Sequence, residues 1–209
     1  MKDNYLAILS DFVPEKSLPI LKEWFKNITF RLIISKERQT KLGDFRGQVG
    51  KISRITVNHN LNQYAFLITL THEFAHLLIW NKHQNKVSPH GKEWKKTFSD
   101  LLYELLQHQV FPTELIPAIR QHALNPKASS SADVSLTKEL NKFNTHNSLP
   151  HLMDIEVGSL FSIRNNSRIF KKLEKKRTRY LCLEVKTQKK YLINGIAEVK
   201  VISHSLFPN

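Results

Sequence analysis

The chain has 209 residues, 41% of them hydrophobic and 24% charged, with 6 Gly and 8 Pro. These fractions exclude collagen-like, low-complexity and wholly disordered classes. A single cysteine, Cys182, excludes both an internal disulfide and a four-cysteine zinc site. Lys plus Arg total 32 against 18 Asp plus Glu, a net charge of +14, which favours polyanionic partners: nucleic acid, an anionic membrane or acidic proteins.

In chain order, the N-terminal run MKDNYLAILSDFVPEK is too short in apolar residues, and interrupted by Asp11, to read as a signal peptide. Ser17 or Pro19 through Lys26 reads as an amphipathic helix with Leu21, Trp24 and Phe25 turned inward. Arg31 to Ser35 reads as a strand. Lys41 to Gly50 holds three of the six glycines and suggests a strand ending in a tight turn. Ser53 to Asn60 alternates, with Ile55, Val57 and His59 on one face and Arg54, Thr56 and Asn58 on the other, which predicts a half-exposed strand.

A long helix follows over about 60–82. Its stretch Leu61 to Trp80 has membrane length, but Asn62, Gln63, His72, Glu73 and His76 are too costly in lipid, so it reads as a buried helix. A second helix over about 89–109 places Trp94, Phe98, Leu101, Leu102 and Leu105 on one stripe. Pro112, Pro117 and Pro126 close a unit spanning 1–125, with a short helix around 113–124.

Residues 126–149 are rich in Ser, Asn, Thr and Lys and read as a linker with one helical turn at most. Residues 150–209 carry short β-type runs at Ser159–Ile163, Thr178–Val185, Tyr191–Ile193 and Ala197–Ile202, predicting a small all-β module. That module holds 12 basic and 5 acidic side chains, net +7, against 17 and 11 in residues 1–125.

The chemistry is concentrated at His72-Glu73-Phe74-Ala75-His76, an H-E-x-x-H on a helix. Spacing of i, i+4 sets both imidazoles on one face, one turn apart, as two ligands of a tetrahedral zinc require. Glu73 sits beside them, within reach of a water on the metal, as its general base. With 10 His among 209 residues, such an array seldom arises by chance, and three ionisable groups in a Leu/Ile/Phe-rich helix are expensive unless partnered.

A catalytic zinc needs a third protein ligand and an open position. The metzincin spacing is excluded, because Ile79 and Lys82 occupy its glycine and histidine positions. His83, Glu93, Glu104 and His90 remain. His90 is in phase with Trp94, Phe98 and Leu101, Gly91 would allow close approach, and Ser88-Pro89 reads as N-cap and first helical residue. His83 reads as a loop residue, and Glu93 and Glu104 as solvated helix charges.

The array H-E-x-x-H, thirteen residues, then His90-Gly91-Lys92-Glu93-Trp94 resembles the SprT-like metalloprotease family, which includes bacterial SprT and eukaryotic Spartan. The glycine-bearing stretch Leu42-Gly43 to Gly50, the strand Ile52–Asn58 and the helix entry at Leu61 resemble it too, so the likeness covers about residues 15–110. It implies an α+β, minimal zincin-like domain, zinc on His72, His76 and His90, Glu73 as catalytic base, and proteolysis of proteins held on nucleic acid. Many members continue into a cysteine zinc ribbon. With Cys182 alone, the β module here would be a metal-free relative of it.

Residues 164–190 interleave Arg164, Arg168, Lys171, Lys172, Lys175, Lys176, Arg177 and Arg179 with Phe161, Phe170, Tyr180 and Tyr191 nearby. Basic groups neutralise phosphates and aromatics stack on unpaired bases, so DNA, single-stranded in particular, or RNA is the expected partner. The expected protein is a cytoplasmic enzyme, nucleoid-associated if bacterial, with no membrane partner. The alternative is a non-proteolytic, nucleic-acid-associated regulator whose metal is structural, which a fourth protein ligand would favour.

Overall fold

The computed structural model describes residues 3–38, 41–128, 133–144, 149–163, 166–177 and 179–202. The chain divides into two units, Met1–Asn144 and Thr145–Asn209. The architecture is mixed α+β, and the second unit is an all-β sheet.

The first unit runs α1 (Asp3–Leu9), α2 (Leu18–Phe25), β1 (Phe30–Ser35), β2 (Gly43–Arg46), β3 (Ser53–Asn58), α3 (Gln63–His83), α4 (Lys92–Gln107), α5 (Ile116–Leu124) and α6 (Val134–Asn141). Its sheet has the order β1-β3-β2, with β1 parallel and β2 antiparallel to β3. β3 is therefore the central strand and not half-exposed: Ser53, Ile55, Thr56, Val57 and Asn58 are all buried. Alternation misled because Asn58 is polar yet fully used. Its side chain donates to the carbonyls of Arg38 and Lys41 and accepts from Arg38 Nε, tying down the chain between β1 and β2. His59 falls beyond the strand and is exposed.

α3 starts where Asn62 caps it, accepting from the backbone N–H of Tyr64 and of Ala65. Its middle is enclosed: every residue from Phe66 to Ala75 is buried, and only the ends of the helix and the side bearing His76 and Trp80 are more open. Its threonines cost little there, since Thr69 donates to the Ala65 carbonyl and Thr71 to that of Leu67. α4 buries the expected stripe of Trp94, Phe98, Leu101, Leu102 and Leu105 against it.

The segment expected to be a linker contributes α6. Leu136 and Leu140, one turn apart, are buried in the first unit's core. Asp133 caps α6 on the Leu136 N–H and also meets buried His122 at 2.8 Å. At the other end, Asn62 Nδ2 donates to the Leu140 carbonyl and to Asn144 Oδ1. The same asparagine thus caps α3 and holds α6. Two apolar residues in a polar stretch are a faint signal, which is why composition alone suggests a linker.

The second unit comprises β4 (Leu160–Ile163), β5 (Ile169–Lys176), β6 (Arg179–Glu184), β7 (Lys190–Asn194) and β8 (Val199–Ile202) in the order β7-β6-β5-β4-β8, every neighbour antiparallel. β5 was not expected, because its four lysines and one glutamate mask the period of two. The expected start of β6, Thr178, lies outside the described residues. Leu152, Phe161, Phe170, Cys182 and Val199 form the core. No helix among the described residues is long and apolar enough to cross a membrane.

If α6 belongs to the first unit's core, Leu136→Ala should cost about 2–5 kcal/mol of stability. Urea unfolding measures this, and an unchanged midpoint would show that the segment is a linker after all.

Candidate metal centre

His72 and His76 lie one turn apart on α3, as their spacing requires. His90 reaches them differently from expectation. α4 starts at Lys92 with Gly91 as its cap, so His90 is not on the helix. It occupies a tight turn closed by the Gly91 N–H on the Ser88 carbonyl at 3.0 Å, with Pro89 second and His90 third at φ 56°. A left-handed histidine carries strain that the surroundings must impose. Gly91 is needed for that turn: a Cβ there would stand 2.9 Å from the Ser88 carbonyl oxygen.

The three rings converge. His76 Nε2 lies 2.9 Å from His90 Nε2, which lies 3.2 Å from His72 Nε2. All three nitrogens fall within 4.8 Å of one another, and among the described residues they form the group able to hold a metal ion. An imidazole nitrogen carries either a proton or a lone pair, so His90 Nε2 cannot hydrogen-bond both neighbours. A cation receiving three lone pairs satisfies all of them. Metal–nitrogen bonds of about 2.0–2.1 Å in a tetrahedron would set ligand nitrogens about 3.3 Å apart, close to what is seen. The donor set therefore fits zinc.

Trp94, fully buried, touches every ring: 4.6 Å from His72, 5.1 Å from His76 and 4.6 Å from His90, centroid to centroid. Phe45 of β2 lies parallel to His76 on the other side. Burial and the neighbouring histidines push His72 down to about 3, and burial and His90 push His76 down to about 4. Burial lowers His90 as well. All three are thus neutral at pH 7, the form in which imidazole binds a metal.

Glu73 is buried beside the triad. Burial, then Asp44, raise its carboxyl to about 8, opposed by Arg38, Lys41 and a hydrogen bond from the Phe45 backbone N–H. A dication among the histidines would favour the carboxylate. β2 lies against this carboxyl only because position 43 is glycine: a Cβ there would be 2.6 Å from Glu73 Oε1. Histidines, glutamate and β2 line one cleft of about 1740 Å³.

The other ligand candidates stand apart from the cluster. His83 ends α3 and Glu93 is exposed on α4. Glu104 is not a solvated charge, since it accepts from Trp24 Nε1 at 2.9 Å. Trp24 in turn stacks on Phe74, the neighbour of Glu73. Sequence reading missed the contacts of Phe45 and Gly43, whose only signal was the glycine-bearing stretch ahead of β3.

In the second unit Lys171, Lys175, Lys176, Arg177 and Arg179 are exposed. Lys172 is the exception and corrects the expected interface. It is buried, donates to the Ile155 carbonyl at 2.6 Å and lies over the Tyr180 ring. Arg168 lies over Phe170 and Tyr191. Arg164 lies outside the described residues. Phe161 and Phe170 are core residues, so they are unavailable for base stacking.

Replacing His72, His76 or His90 by Ala should each reduce bound metal sharply, whereas His83→Ala should retain it. Elemental analysis of purified protein checks this, and full metal content in His90→Ala would remove it from the centre.

Residues 17–114 match the SprT-like family model. Protein SprT of Erwinia tasmaniensis is 52% identical over 42 residues, which is 20% of this chain and 24% of that protein. Protein SprT of an Enterobacter species is 60% identical over 35 residues, 16% and 21% of the two chains. Protein SprT of Escherichia coli K12 is 50% identical over 42 residues, 20% and 25%. The matched stretch thus spans about a quarter of the length of these relatives. No solved structure matches the chain. Residues 17–114 are thus a SprT-like region, and the match supports a SprT-like assignment for that part of the chain.

Proposed function

We propose that the chain is a zinc-dependent metallopeptidase of minimal zincin-like fold, acting on proteins associated with nucleic acid. The observation that carries this reading is the convergence of three histidine Nε2 atoms beside a buried glutamate on one cleft wall. His72, His76 and His90 would hold the zinc. When bound, zinc supplies a Lewis acid and brings the pKa of water towards 7.

The remaining work falls to the chain's own groups. Glu73, held by the Phe45 N–H and pressed by Gly43, takes the proton of the attacking water on its carboxylate and returns it to the departing amine. β2 pairs only with β3 among the described strands, so its outer edge offers backbone donors and acceptors along the cleft. An extended peptide would add there as a further strand. Such an edge recognises backbone more than side chains, so selectivity must come from where the enzyme is held.

The second unit would hold it. Lys171 pairs in register with Leu183 and Lys176 with Arg179, while Leu183 also pairs with Lys190. Residues 179 and 183 share a sheet face, so Lys171, Lys176, Arg179 and Lys190 stand on one side. Because Phe161 and Phe170 are internal, phosphate neutralisation is the contribution this face offers. A strand bound here raises the effective concentration of proteins on the same strand at the cleft. Action in the cytoplasm, on the nucleoid in a bacterium, follows from this reading.

Glu73→Gln should keep zinc yet lose about 10²–10⁴ in peptide hydrolysis. Wild-type turnover in that variant would mean a different base or no enzymatic role. Neutralising Lys171, Lys176, Arg179 and Lys190 together should flatten the salt dependence of oligonucleotide binding by about 0.7 per lost phosphate contact. An unchanged slope would move the anchor elsewhere.

A further inference from the structure

In the first unit's sheet, Arg54 of β3 is paired in register with Arg31 of β1 on one side and with Arg46 of β2 on the other. Side chains paired in register share a face, and neighbouring strands lie about 4.8 Å apart, so three guanidinium stems stand in a row about 10 Å long. The adjacent row, Leu32, Ile55 and Phe45, faces the hydrophobic core instead. All three arginines line the same cleft as His72, His76 and His90.

Nothing in folding favours this row. Like charges directly opposite are destabilising, and the central strand is the worst place for one. Compensation is partial. Asp44 accepts from Arg46 at 3.0 Å but also from Lys41 at 2.6 Å, so one carboxylate serves two cations. Arg31 and Arg54 make no ion pair among the described residues. Among the described residues, Arg54 Nε is buried with no acceptor. A buried donor on a charged group left without a partner is costly. Arg54 as a whole is half-buried and lines the cleft, so a ligand's oxyanions would offset its charge without reaching Nε itself.

We infer that Arg31, Arg54 and Arg46 form a phosphate-binding row for the backbone of a nucleic-acid strand, on the wall of the cleft that holds the histidines. Guanidinium forks match phosphate oxygens two at a time, which ammonium groups cannot do. Filling three cations within about 10 Å needs closely spaced, permanently ionised groups, and a phosphodiester chain has one per residue. An acidic polypeptide would need a run of carboxylates on one side. Exposed Lys51 lines the same cleft, and the net charge of +14 favours the same polyanion. This inference rests on the nucleic-acid reading above but uses a separate site in the first unit, on the sheet face opposite Phe45 and lining the same cleft.

The test is fluorescence anisotropy of a labelled oligothymidylate with the full chain over a salt series. Wild type is compared with R31Q, R54Q, R54K, the R31Q/R54Q double variant and the four-residue variant of the C-terminal sheet. Each Gln variant should reduce the slope of log affinity against log salt by about 0.7, and the double variant by about twice that. R54K should keep the slope and weaken binding, since charge remains and the fork is lost. R54Q should not lower the thermal midpoint, because it removes a like-charge opposition. The inference is overturned if the double variant binds as wild type does while the C-terminal variant binds weakly. It is also overturned if R54Q unfolds earlier with affinity unchanged, or if the double variant loses only competition by a glutamate-rich peptide. Absence of oligonucleotide binding by wild type would overturn the nucleic-acid reading and this inference together.

Discussion

The indole of Trp94 touches all three histidine rings, and the centre depends on that contact. Two of the histidines come free with α3, because i, i+4 spacing on a helix leaves them little choice. The third must be brought from a different segment into a strained backbone conformation. Trp94 belongs to α4, two residues past its first, and its burial anchors the start of that helix. The turn carrying His90 is then confined between a fixed helix end and α3. Burial of one aromatic side chain thus offsets the left-handed cost at His90, and the same burial keeps the imidazoles neutral.

Several polar side chains around this core link remote parts of the unit. Asn62 caps α3 and holds α6, Asn58 fastens the chain between β1 and β2, and Glu104 ties Trp24 beneath Phe74. Each is a single side chain joining segments far apart in sequence. The arginine row is the counter-example: three cations aligned by register with too few acceptors.

Local periodicity made much of this legible. The histidine pair, Glu73, the buried helix α3 and the stripe of α4 all follow from spacing within a few turns, and His90 could be singled out as the third member of the cluster. Its backbone could not, because Ser88-Pro89 reads equally well as a helix start or as the beginning of a turn. Long-range pairing defeated the rest. That β3 is central depends on partners that its own alternation cannot name, and α6 depends on a groove that Leu136 and Leu140 fill. Lys172 looked like every other lysine until the register placed it opposite Cys182, inside the sheet. The row of arginines is invisible for the same reason, since each lies on a different strand.

On the proposed reading, three imidazoles and no other protein group would hold one zinc ion, leaving a position open for reaction. X-ray absorption at the zinc edge of the purified protein tests it most directly. About three imidazole nitrogens at about 2.0–2.1 Å with one exchangeable light-atom ligand are expected. A sulfur at about 2.3 Å or a fourth, non-exchangeable protein ligand would contradict it and make the site structural.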